Sequence, residues 1–307
     1  MFRHRMSTLV ILNPASGRGK AAKARNRVAR GMKDTGQPFE LVETTGPGHA
    51  IGLAREATHS GITRIICAGG DGLIHEVANG LLAAPPADHG ATRTALGVIP
   101  LGTGNDYAKL LGVYGLPPES AAARLVHART ERHDVGKAWN EHFDNIFGCG
   151  FDAEVVRRSN RKRRIKGIAV YLLSIYETFI TFQPPVFEVV SEEHRETGQM
   201  MMLSVDIGIC GGGGFYLTPQ ADPADGALDV CVIRKVSLLT FLRAVPRVMK
   251  GTHGDLDQVT MFRSREVTIR SPNGPLVVQM DGELREPGLS EVTVTIEPGR
   301  LSVLVAR

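Results

Sequence analysis

Residues 64–83 read RIICAGGDGLIHEVANGLLA, and this stretch decides the fold. The apolar run at 64–68 has the length of a buried strand, and the glycines that follow it end the strand. Apolar residues then recur at helical spacing, which predicts a helix over 74–83. A strand, a glycine-rich turn and a helix in this order are typical of a parallel sheet that is covered by helices.

The same order of elements extends to both sides of this stretch. Apolar runs predict further strands at 8–12, 39–43 and 95–100. Helical patterns lie at 20–32, 49–59 and 105–111. Glycine-rich loops follow three of the strands, at 13–19, 69–72 and 102–106. Because ligands bind beyond the carboxyl ends of parallel strands, we expect these three loops to converge on one edge of the sheet.

After about residue 130 the pattern changes to short β-rich segments. Strands are predicted at 131–138, 142–149, 186–191, 200–210, 228–233, 264–270, 276–280 and 291–296, and helices at 168–181 and 237–250. Many strands with few helices favour an antiparallel β-sandwich. The sequence therefore predicts an α/β domain over 1–130 and a β-sandwich domain over 131–307. It leaves open that the last strand packs back on the first domain.

Composition excludes several classes of protein. Apolar residues make up 42% and charged residues 22% of the 307 residues, which is the balance of a folded globular chain. The net charge of +4 is too small to indicate a nucleic-acid binder. The four cysteines form no CxxC pair, so buried thiols in a reducing cytoplasm are expected. With neither a secretory leader nor an apolar stretch of about 18 residues, the pattern predicts a soluble protein with at most peripheral membrane contact.

The first loop, NPASGRGK at 13–20, lies between a predicted strand and a predicted helix. Its small residues allow backbone amides to point at an anion near the helix N-terminus, so we expect phosphate binding. The spacing of a Walker A loop is absent. Gly17, Gly19 and Ala22 nearly match a dinucleotide fingerprint, and Glu40 or Glu43 could then hold a ribose. An NAD-binding oxidoreductase is therefore the alternative function.

The other two loops carry acidic and hydroxyl side chains. Asp71 lies among three glycines, where its carboxylate can reach a metal ion or a hydroxyl group. His75 begins a partial HExxH pattern that fails at Asn79, so we expect it on the helix surface or supporting the loop. In the third loop, Thr103 can contact phosphate. Asn105 or Asp106, in the same loop, can cap the following helix.

The short motifs, taken in order, carry a resemblance that spans nearly the whole chain. They are NPxSG at 13–17, GGDGxxxE at 69–76, PxGTxND at 100–106, GFDA at 150–153, DPADGALD at 222–229 and DGE at 281–283. This set resembles the diacylglycerol kinase catalytic-domain family, in particular its short bacterial lipid kinases related to sphingosine and ceramide kinases. The resemblance implies a phosphofructokinase-like α/β domain, a C-terminal β-sandwich and an active site in the cleft between them.

The resemblance also implies an ATP-dependent kinase that phosphorylates a lipid hydroxyl. Thr44 matches the family through its position six residues before Ala50. Leu73 and His75 stand where the family loop usually has Thr and Asn, and Leu73 removes one hydroxyl. Carried over by position, the residues that hold ATP are Asn13, Pro14, Ala15, Ser16, Gly17, Thr44, Gly69, Gly70, Asp71, Gly72, Leu73, Ile74, His75 and Thr103.

The carboxylates of the second half complete this implied site. Asp281 and Glu283 would supply the base near the acceptor hydroxyl, and Asp71 stays a third candidate. A Mg²⁺ ion would bridge the phosphates near Asp71. A second, structural Mg²⁺ would be bound through Asp225, with the backbone carbonyls of Asp222 and Ala227. A nucleotide-sensing protein without catalysis is disfavoured, because these acidic residues are all present.

The stretch 157–166 holds seven basic residues in ten and precedes the predicted helix 168–181. This pattern is typical either of a solvated helix end or of docking on anionic lipid headgroups. The expected partners are therefore a lipid substrate and an anionic membrane surface, without nucleic acid, and a homodimer stays open.

Overall fold

The computed structural model describes residues 7–84, 92, 94–161 and 168–306. The chain divides into two units. The N-terminal unit comprises Met1–Val135 together with Pro298–Arg307, and the C-terminal unit is Gly136–Glu297. The first is an α/β unit and the second is a β-sandwich, which confirms the predicted fold class.

The N-terminal unit is built on a parallel sheet. Its strands are β1 (Thr8–Leu12), β2 (Phe39–Glu43), β3 (Arg64–Gly69), β4 (Ala95–Pro100) and the end of β15 (Glu291–Val305). They are arranged in the order β15–β4–β3–β1–β2. Thr8 pairs with both Phe39 and Arg64, and Arg64 pairs with Ala95. Because helices cover the sheet, β1 is buried along its whole length.

Five helices surround this sheet. They are α1 (Ser16–Asp34), α2 (His49–His59), α3 (Asp71–Leu82), α4 (Tyr107–Leu110) and α5 (Pro118–Val126). Val28 of α1 and Leu125 of α5 belong to one core cluster with Val10 and Ile66 of the strands. Helices α2 and α3 pack on each other, and Gly80 lies so close to α2 that a Cβ there would be 2.5 Å from the Ile51 carbonyl oxygen.

The C-terminal unit contains two antiparallel sheets. Its strands are β6 (Glu141–Phe143), β7 (Ile146–Gly150), β8 (Val186–Val190), β9 (Arg195–Asp206), β10 (Leu228–Arg234), β11 (Val259–Ser264), β12 (Glu266–Arg270), β13 (Val278–Met280), β14 (Glu283–Arg285) and the parts of β5 (Arg129–Ala138) and β15 that fall within it. One sheet has the strand order β14–β13–β7–β9–β10–β11. Strand β9 belongs to both sheets: its first half pairs with β8, and the second sheet then continues from β8 to β12 and β15. Phe147, Leu203 and Val230 pack with Val267 and Val294 in the core of the sandwich.

Three helices pack beside the sandwich strands. They are α6 (Phe151–Arg161), α7 (Ile168–Thr181) and α8 (Leu238–Val248). Phe241 of α8 stacks on Phe179 of α7, with ring centroids 4.2 Å apart, and lies edge-on to Phe151 of α6 at 5.6 Å. Within the described ranges, no helix is both long and apolar enough to cross a bilayer.

Several predicted elements differ from the observed ones. The sequence did not predict α5 or α6. The single strand expected at 142–149 is divided into β6 and β7 by a turn at Asp144 and Asn145. The strand expected at 264–270 corresponds to β12 and the last residue of β11, and most of β11 was not predicted. The break at Asp144 and Asn145 is stabilised by the distant carboxylate of Asp281, which accepts hydrogen bonds from the amides of both residues.

Candidate active site

The three glycine-rich loops meet at one edge of the N-terminal sheet, as predicted. A Cβ on Gly70 would lie 2.9 Å from the Cα of Gly102, so only glycine allows these two loops to touch through their backbones. A Cβ on Gly17 would lie 2.4 Å from the carbonyl oxygen of Leu101. The Ser16 hydroxyl lies 3.1 Å from the position of a Cβ on Gly69. The loops therefore form one continuous backbone surface.

The first loop is shaped by Asn13 at the end of β1. Its Oδ1 accepts a hydrogen bond from the amide of Ala15 at 3.0 Å, and its carbonyl accepts one from the amide of Ser16 at 3.0 Å. Gly17, Arg18 and Gly19 then take the left-handed conformation, with φ of 57°, 59° and 85°. Regular helical geometry begins only after Gly19, which agrees with the predicted helix start at residue 20.

In the second loop, Asp71 begins α3, and its Oδ1 accepts a hydrogen bond from the amide of Tyr107 at 3.3 Å. The side chains of Leu73, Ile74 and His75 are buried. Of the two alternatives for His75, the helix-surface one is wrong, because the residue is 3% exposed and its Nε2 lies 3.4 Å from Asn79 Nδ2; a role in supporting the loop stays a prediction.

The third loop is held by Asn105, whose φ is +54°. Its Oδ1 accepts from the amide of Gly102 at 2.8 Å, and its Nδ2 donates to the carbonyl of Gly102 at 3.2 Å. Asp106 occupies the N-cap position of α4, but its side chain makes no capping hydrogen bond and pairs instead with Lys109 at 2.6 Å, so the prediction of a side-chain cap from Asn105 or Asp106 is wrong. Thr103, between the two anchored residues, is exposed.

Glu76 has a role that sequence reasoning missed. Its two carboxylate oxygens accept hydrogen bonds from the amides of Gly48 at 2.8 Å and Ala50 at 3.1 Å, which fixes the start of α2. Thr44, which is buried, is anchored through its amide to the carbonyl of Leu12 at 2.9 Å. The acidic end of the GGDGxxxE motif was the signal, because a carboxylate near a helix N-terminus stabilises it.

The turn between β13 and β14 carries two acidic residues, Asp281 and Glu283, which lie in different environments. The buried carboxylate of Asp281 accepts hydrogen bonds from three consecutive amides, those of Asp144, Asn145 and Ile146, at 3.1, 3.0 and 2.9 Å. It thereby holds the turn between β6 and β7. Glu283, the first residue of β14, is exposed. The two residues thus offer different chemistry, although the sequence predicted one shared role.

The loop at 222–229 gathers three carboxylates and one guanidinium. Asp222 and Asp225 each accept a hydrogen bond from an amide of their own loop, at 3.0 and 3.1 Å. The second oxygen of Asp225 pairs with Arg263, a residue that the sequence analysis did not single out. Asp229 Oδ2 is buried and has no hydrogen-bond partner among the described residues.

The charge balance of this loop fits a divalent cation. Burial raises the pKa of Asp229, the Arg263 guanidinium lowers it, and the negative charges of Asp225 and Asp222 raise it, so that together they bring it to about 6. One guanidinium therefore does not neutralise the three carboxylates. Mg²⁺ prefers oxygen ligands, and this loop supplies them.

A cavity that neither the motifs nor the periodicity predicted lies within the C-terminal unit. It is partly open to solvent. Its polar end is formed by Asp152 and Gln279, whose side chains are joined by a hydrogen bond of 3.1 Å. The remaining lining is mainly apolar and includes Phe151, Val155, Ile175, Met201, Met202, Gly211, Gly212, Phe215, Ile233, Phe241, Ala244, Val245 and Val248.

Asp152 is the acidic side chain in this lining. Burial raises the pKa of its carboxyl to about 6, although Gln279 and backbone amides donate to it and lower the pKa. Its Oδ1 is buried without a hydrogen-bond partner in the described part of the chain. Gly148 makes room for the carboxylate, since a Cβ there would lie 1.7 Å from Asp152 Oδ2.

We expect Asp152→Asn to stabilise the protein in a pH-dependent way. A raised folded-state pKa means that the stability contributed by Asp152 is fully present below the unfolded-state pKa near 3.8 and is lost as the pH rises through about 6. At pH 8 the variant should therefore gain up to about 3 kcal/mol in the free energy of unfolding. Denaturant titrations between pH 5 and 8 measure this gain, which should shrink towards pH 5.

The control is Asp257→Asn, which changes an exposed aspartate of the same unit. It should leave the free energy of unfolding nearly unchanged across the same pH range. An equal gain for both variants would show that net charge, rather than the burial of Asp152, causes the effect.

Half of the basic stretch at 157–166 lies outside the described residues, which end at 161 and resume at 168. The two arginines whose side chains are described are occupied by acidic partners. Arg157 pairs with Glu154 at 3.1 Å and with Glu286 at 2.5 Å. Arg158 pairs with Glu154 at 2.8 Å and donates to the carbonyl of Glu177 at 3.0 Å. These two residues thus join α6 to its neighbours.

Comparison with known proteins gives matches along the whole chain. Residues 7–138 match the model of the diacylglycerol kinase catalytic domain, and residues 145–305 match that of the YegS C-terminal NAD kinase beta sandwich-like domain. A protein named diacylglycerol kinase from Mycobacterium tuberculosis is 31% identical, over 99% of this chain and 97% of its own length. A diacylglycerol kinase from Bacillus subtilis is 30% identical, over 89% and 88%.

The fold is also similar to a solved structure. A crystal structure of a diacylglycerol kinase from Bacillus anthracis str. Sterne superposes with a TM-score of 0.72 at 20% identity, covering 97% of this chain and 96% of that one. At this identity the similarity concerns the fold.

Proposed function

The chain belongs to the diacylglycerol kinase catalytic-domain family and is a kinase with an alcohol group as acceptor; from this premise we propose that it transfers the γ-phosphate of ATP to the hydroxyl of a diacylglycerol-like lipid. In this proposal the N-terminal unit binds the nucleotide and the C-terminal unit binds the lipid. The NAD-binding oxidoreductase alternative is not favoured, because the family matches run through both units.

The observation that carries the lipid acceptor is the cavity of the C-terminal unit. Its lining is mainly apolar, and the transfer of acyl chains from water to such a surface is favourable. The hydrogen-bonded pair of Asp152 and Gln279 provides a polar end that suits a glycerol or similar headgroup. Gly211 and Gly212 also lie in the lining, and Gly211 packs against Ile146, since a Cβ there would lie 2.2 Å from Ile146 Cδ1.

The nucleotide side of the proposal rests on the three converging loops. Phosphoryl transfer depends mainly on positioning and on neutralising charge, and backbone amides at helix N-termini provide both. We assign phosphate binding to the backbones of 13–17 and 69–75, with Thr44 and Thr103 alongside. Asp71 would hold Mg²⁺, which neutralises charge on the phosphates when it is bound.

A lipid hydroxyl is a weak nucleophile, so a carboxylate must accept its proton. Asp281 already accepts three amide hydrogen bonds, which favours a positioning role for it. Glu283 is exposed on the strand that leaves the same turn. We therefore assign proton acceptance to Glu283 and the geometry of the turn to Asp281.

The direct test is phosphate transfer from γ-labelled ATP to a panel of lipids in mixed micelles. Diacylglycerol, phosphatidylglycerol, a sphingoid base and ceramide each offer a hydroxyl group, and we expect diacylglycerol to accept the label most rapidly. Mg-ATP should also raise the melting temperature, whereas NAD should not. Stabilisation by NAD alone, with no labelled lipid, would contradict the proposal.

Ala244→Phe tests whether the cavity holds the acyl chains. Ala244 lines the cavity, so the larger ring should occupy the space of a long acyl chain and raise the KM for the lipid. The KM for ATP should not change. Ala123→Phe, the same substitution at an exposed position of α5, is the matched control. If a folded Ala244→Phe protein shows the wild-type KM for the lipid, the cavity does not bind the acyl chains.

The structural Mg²⁺ gives a separate prediction. We propose that Asp225, with the carbonyls of Asp222 and Ala227, binds this ion and that the ion stabilises the loop. Mg²⁺ without nucleotide should then raise the melting temperature of the wild-type protein, and Asp225→Ala should lose this response together with part of the activity. Asp257→Ala, an exposed control, should keep both.

The outcome for Asp225→Ala separates two roles. If its thermal response to Mg²⁺ equals that of the wild type and only the apparent affinity for Mg-ATP falls, the ion does not act on structure. Calorimetric melting curves at several Mg²⁺ concentrations provide the comparison.

A further inference from the structure

The outward side of α8 is apolar and exposed. Leu239, Leu242 and Met249 recur at three- and seven-residue spacing, which places them on one side of the helix, and Leu238 lies beside them. The side chains of Leu239 and Leu242 are 58% and 57% exposed. We refer to Leu238, Leu239, Leu242 and Met249 as the α8 outer face.

The opposite side of the same helix lines the cavity. Phe241, Ala244 and Val248 lie there at three- and four-residue spacing and face the space that we assign to the lipid. Helix α8 is therefore apolar both towards the cavity and towards the outside. A surface helix normally turns a polar face outward, so the α8 outer face requires an apolar environment beyond the protein.

The charged residues of α8 and of the segments directly beside it in the sequence are all basic. Residues 235–250 contain four basic residues and no Asp or Glu. Lys235, Arg243 and Lys250 are exposed, whereas Arg247 pairs with Asp255. An apolar helix face bordered by basic side chains is typical of a helix that lies in the interface of an anionic membrane.

Helix α7, which contacts α8, also exposes apolar and aromatic side chains. Phe179 of α7 stacks on Phe241, and Tyr176 and Ile180, close to it in α7, are exposed. Tyrosine is favoured at the level of lipid headgroups, because its ring is apolar and its hydroxyl is polar.

We propose that the α8 outer face is the membrane-docking surface of this kinase and that its partner is a bilayer containing anionic lipid. This inference rests on the proposed function, since docking through α8 brings the wall of the lipid cavity to the bilayer that holds the substrate. A symmetric contact between two copies fits less well, because it would bring Arg243 and Lys250 towards their own like charges. The surface is also distinct from the basic stretch that the sequence indicated.

The test is co-sedimentation with vesicles in the absence of nucleotide. Leu239→Ser with Leu242→Ser should weaken binding to phosphatidylcholine vesicles containing phosphatidylglycerol by about tenfold or more. Arg243→Gln with Lys250→Gln should weaken it by about tenfold or more at low salt and have little effect at high salt. Leu289→Ser and Arg265→Gln, at exposed positions elsewhere in the same unit, are the matched controls.

A fluorescent label reports insertion directly. The four natural cysteines are buried, so Leu242→Cys can be labelled selectively with a polarity-sensitive dye. Its emission should shift to the blue when vesicles containing phosphatidylglycerol are added, and the label on Leu289→Cys should not respond. An equal response at both positions would contradict docking through α8.

Two further results separate this inference from the proposed function. The serine variants should phosphorylate a water-soluble short-chain diacylglycerol at the wild-type rate, because that substrate does not need a bilayer. If the wild type phosphorylates no lipid at all, the proposed function fails while the vesicle measurements still stand. Wild-type vesicle binding by the serine variants, or a dimer that these substitutions dissociate, would overturn the docking assignment.

Discussion

Asp71→Ala is expected to lower kcat by at least about 10²–10³-fold, the loss seen when one stabilising group is removed from a transition state. Asp71 begins α3 at the point where the three glycine-rich loops meet, and its carboxylate is the one we assign to the Mg²⁺ on the phosphates. The fold should remain intact, because the backbones of the glycines shape this loop. Labelled phosphate transfer and a melting curve measure the two quantities.

Asp34→Ala is the control for this prediction, since it removes an exposed aspartate from the end of α1. Its turnover should match that of the wild type. Activity of Asp71→Ala within about tenfold of the wild type would place Asp71 outside the chemistry. A large fall in melting temperature would instead show that the hydrogen bond to Tyr107 is structural.

The second large effect separates Asp281 from Glu283. Asp281→Asn turns one acceptor oxygen into a donor, so at least one of the buried amides of Asp144, Asn145 and Ile146 loses its partner. We expect a loss of about 2–4 kcal/mol in the free energy of unfolding, together with reduced activity. Glu283→Gln should keep the stability and lower kcat by about 10²-fold or more.

Two measurements on both variants decide between the roles. Denaturant titration gives the stability, and initial rates with saturating lipid and ATP give kcat. A stable but inactive Asp281→Asn would return proton acceptance to Asp281. Near-normal kcat in Glu283→Gln would clear Glu283 and shift the assignment to Asp71.

The features that sequence predicts well are those set by neighbours along the chain. The strand at 64–68 and the glycines after it place Asp71 at the edge of a parallel sheet, and the structure confirms the meeting of the loops there. The same local logic predicted β1, β2 and β4 with their observed bounds.

The features that sequence could not predict depend on contacts between distant residues. Asp281 reads as part of a DGE motif, yet its hydrogen-bond partners lie about 136 residues earlier in the chain. Asp229 and Arg263 likewise meet only because β10 and β11 are paired. Helix α6 was not predicted, and its arginines were interpreted as a solvated helix end or as a lipid-docking stretch, whereas Arg157 and Arg158 are paired with glutamates.

The path of β15 has a consequence for the order in which the chain can fold. Its first residues pair with β12 in the sandwich, and Val303, near its end, pairs with Leu96 of β4. Leu301, Val303 and Leu304 are buried, so the N-terminal sheet lacks one strand until residues 301–305 have been synthesised. The N-terminal unit therefore cannot be completed before the C-terminal unit has been translated. A chain released a dozen residues early would expose the edge of β4 to other chains, and aggregation is the expected fate of such a product.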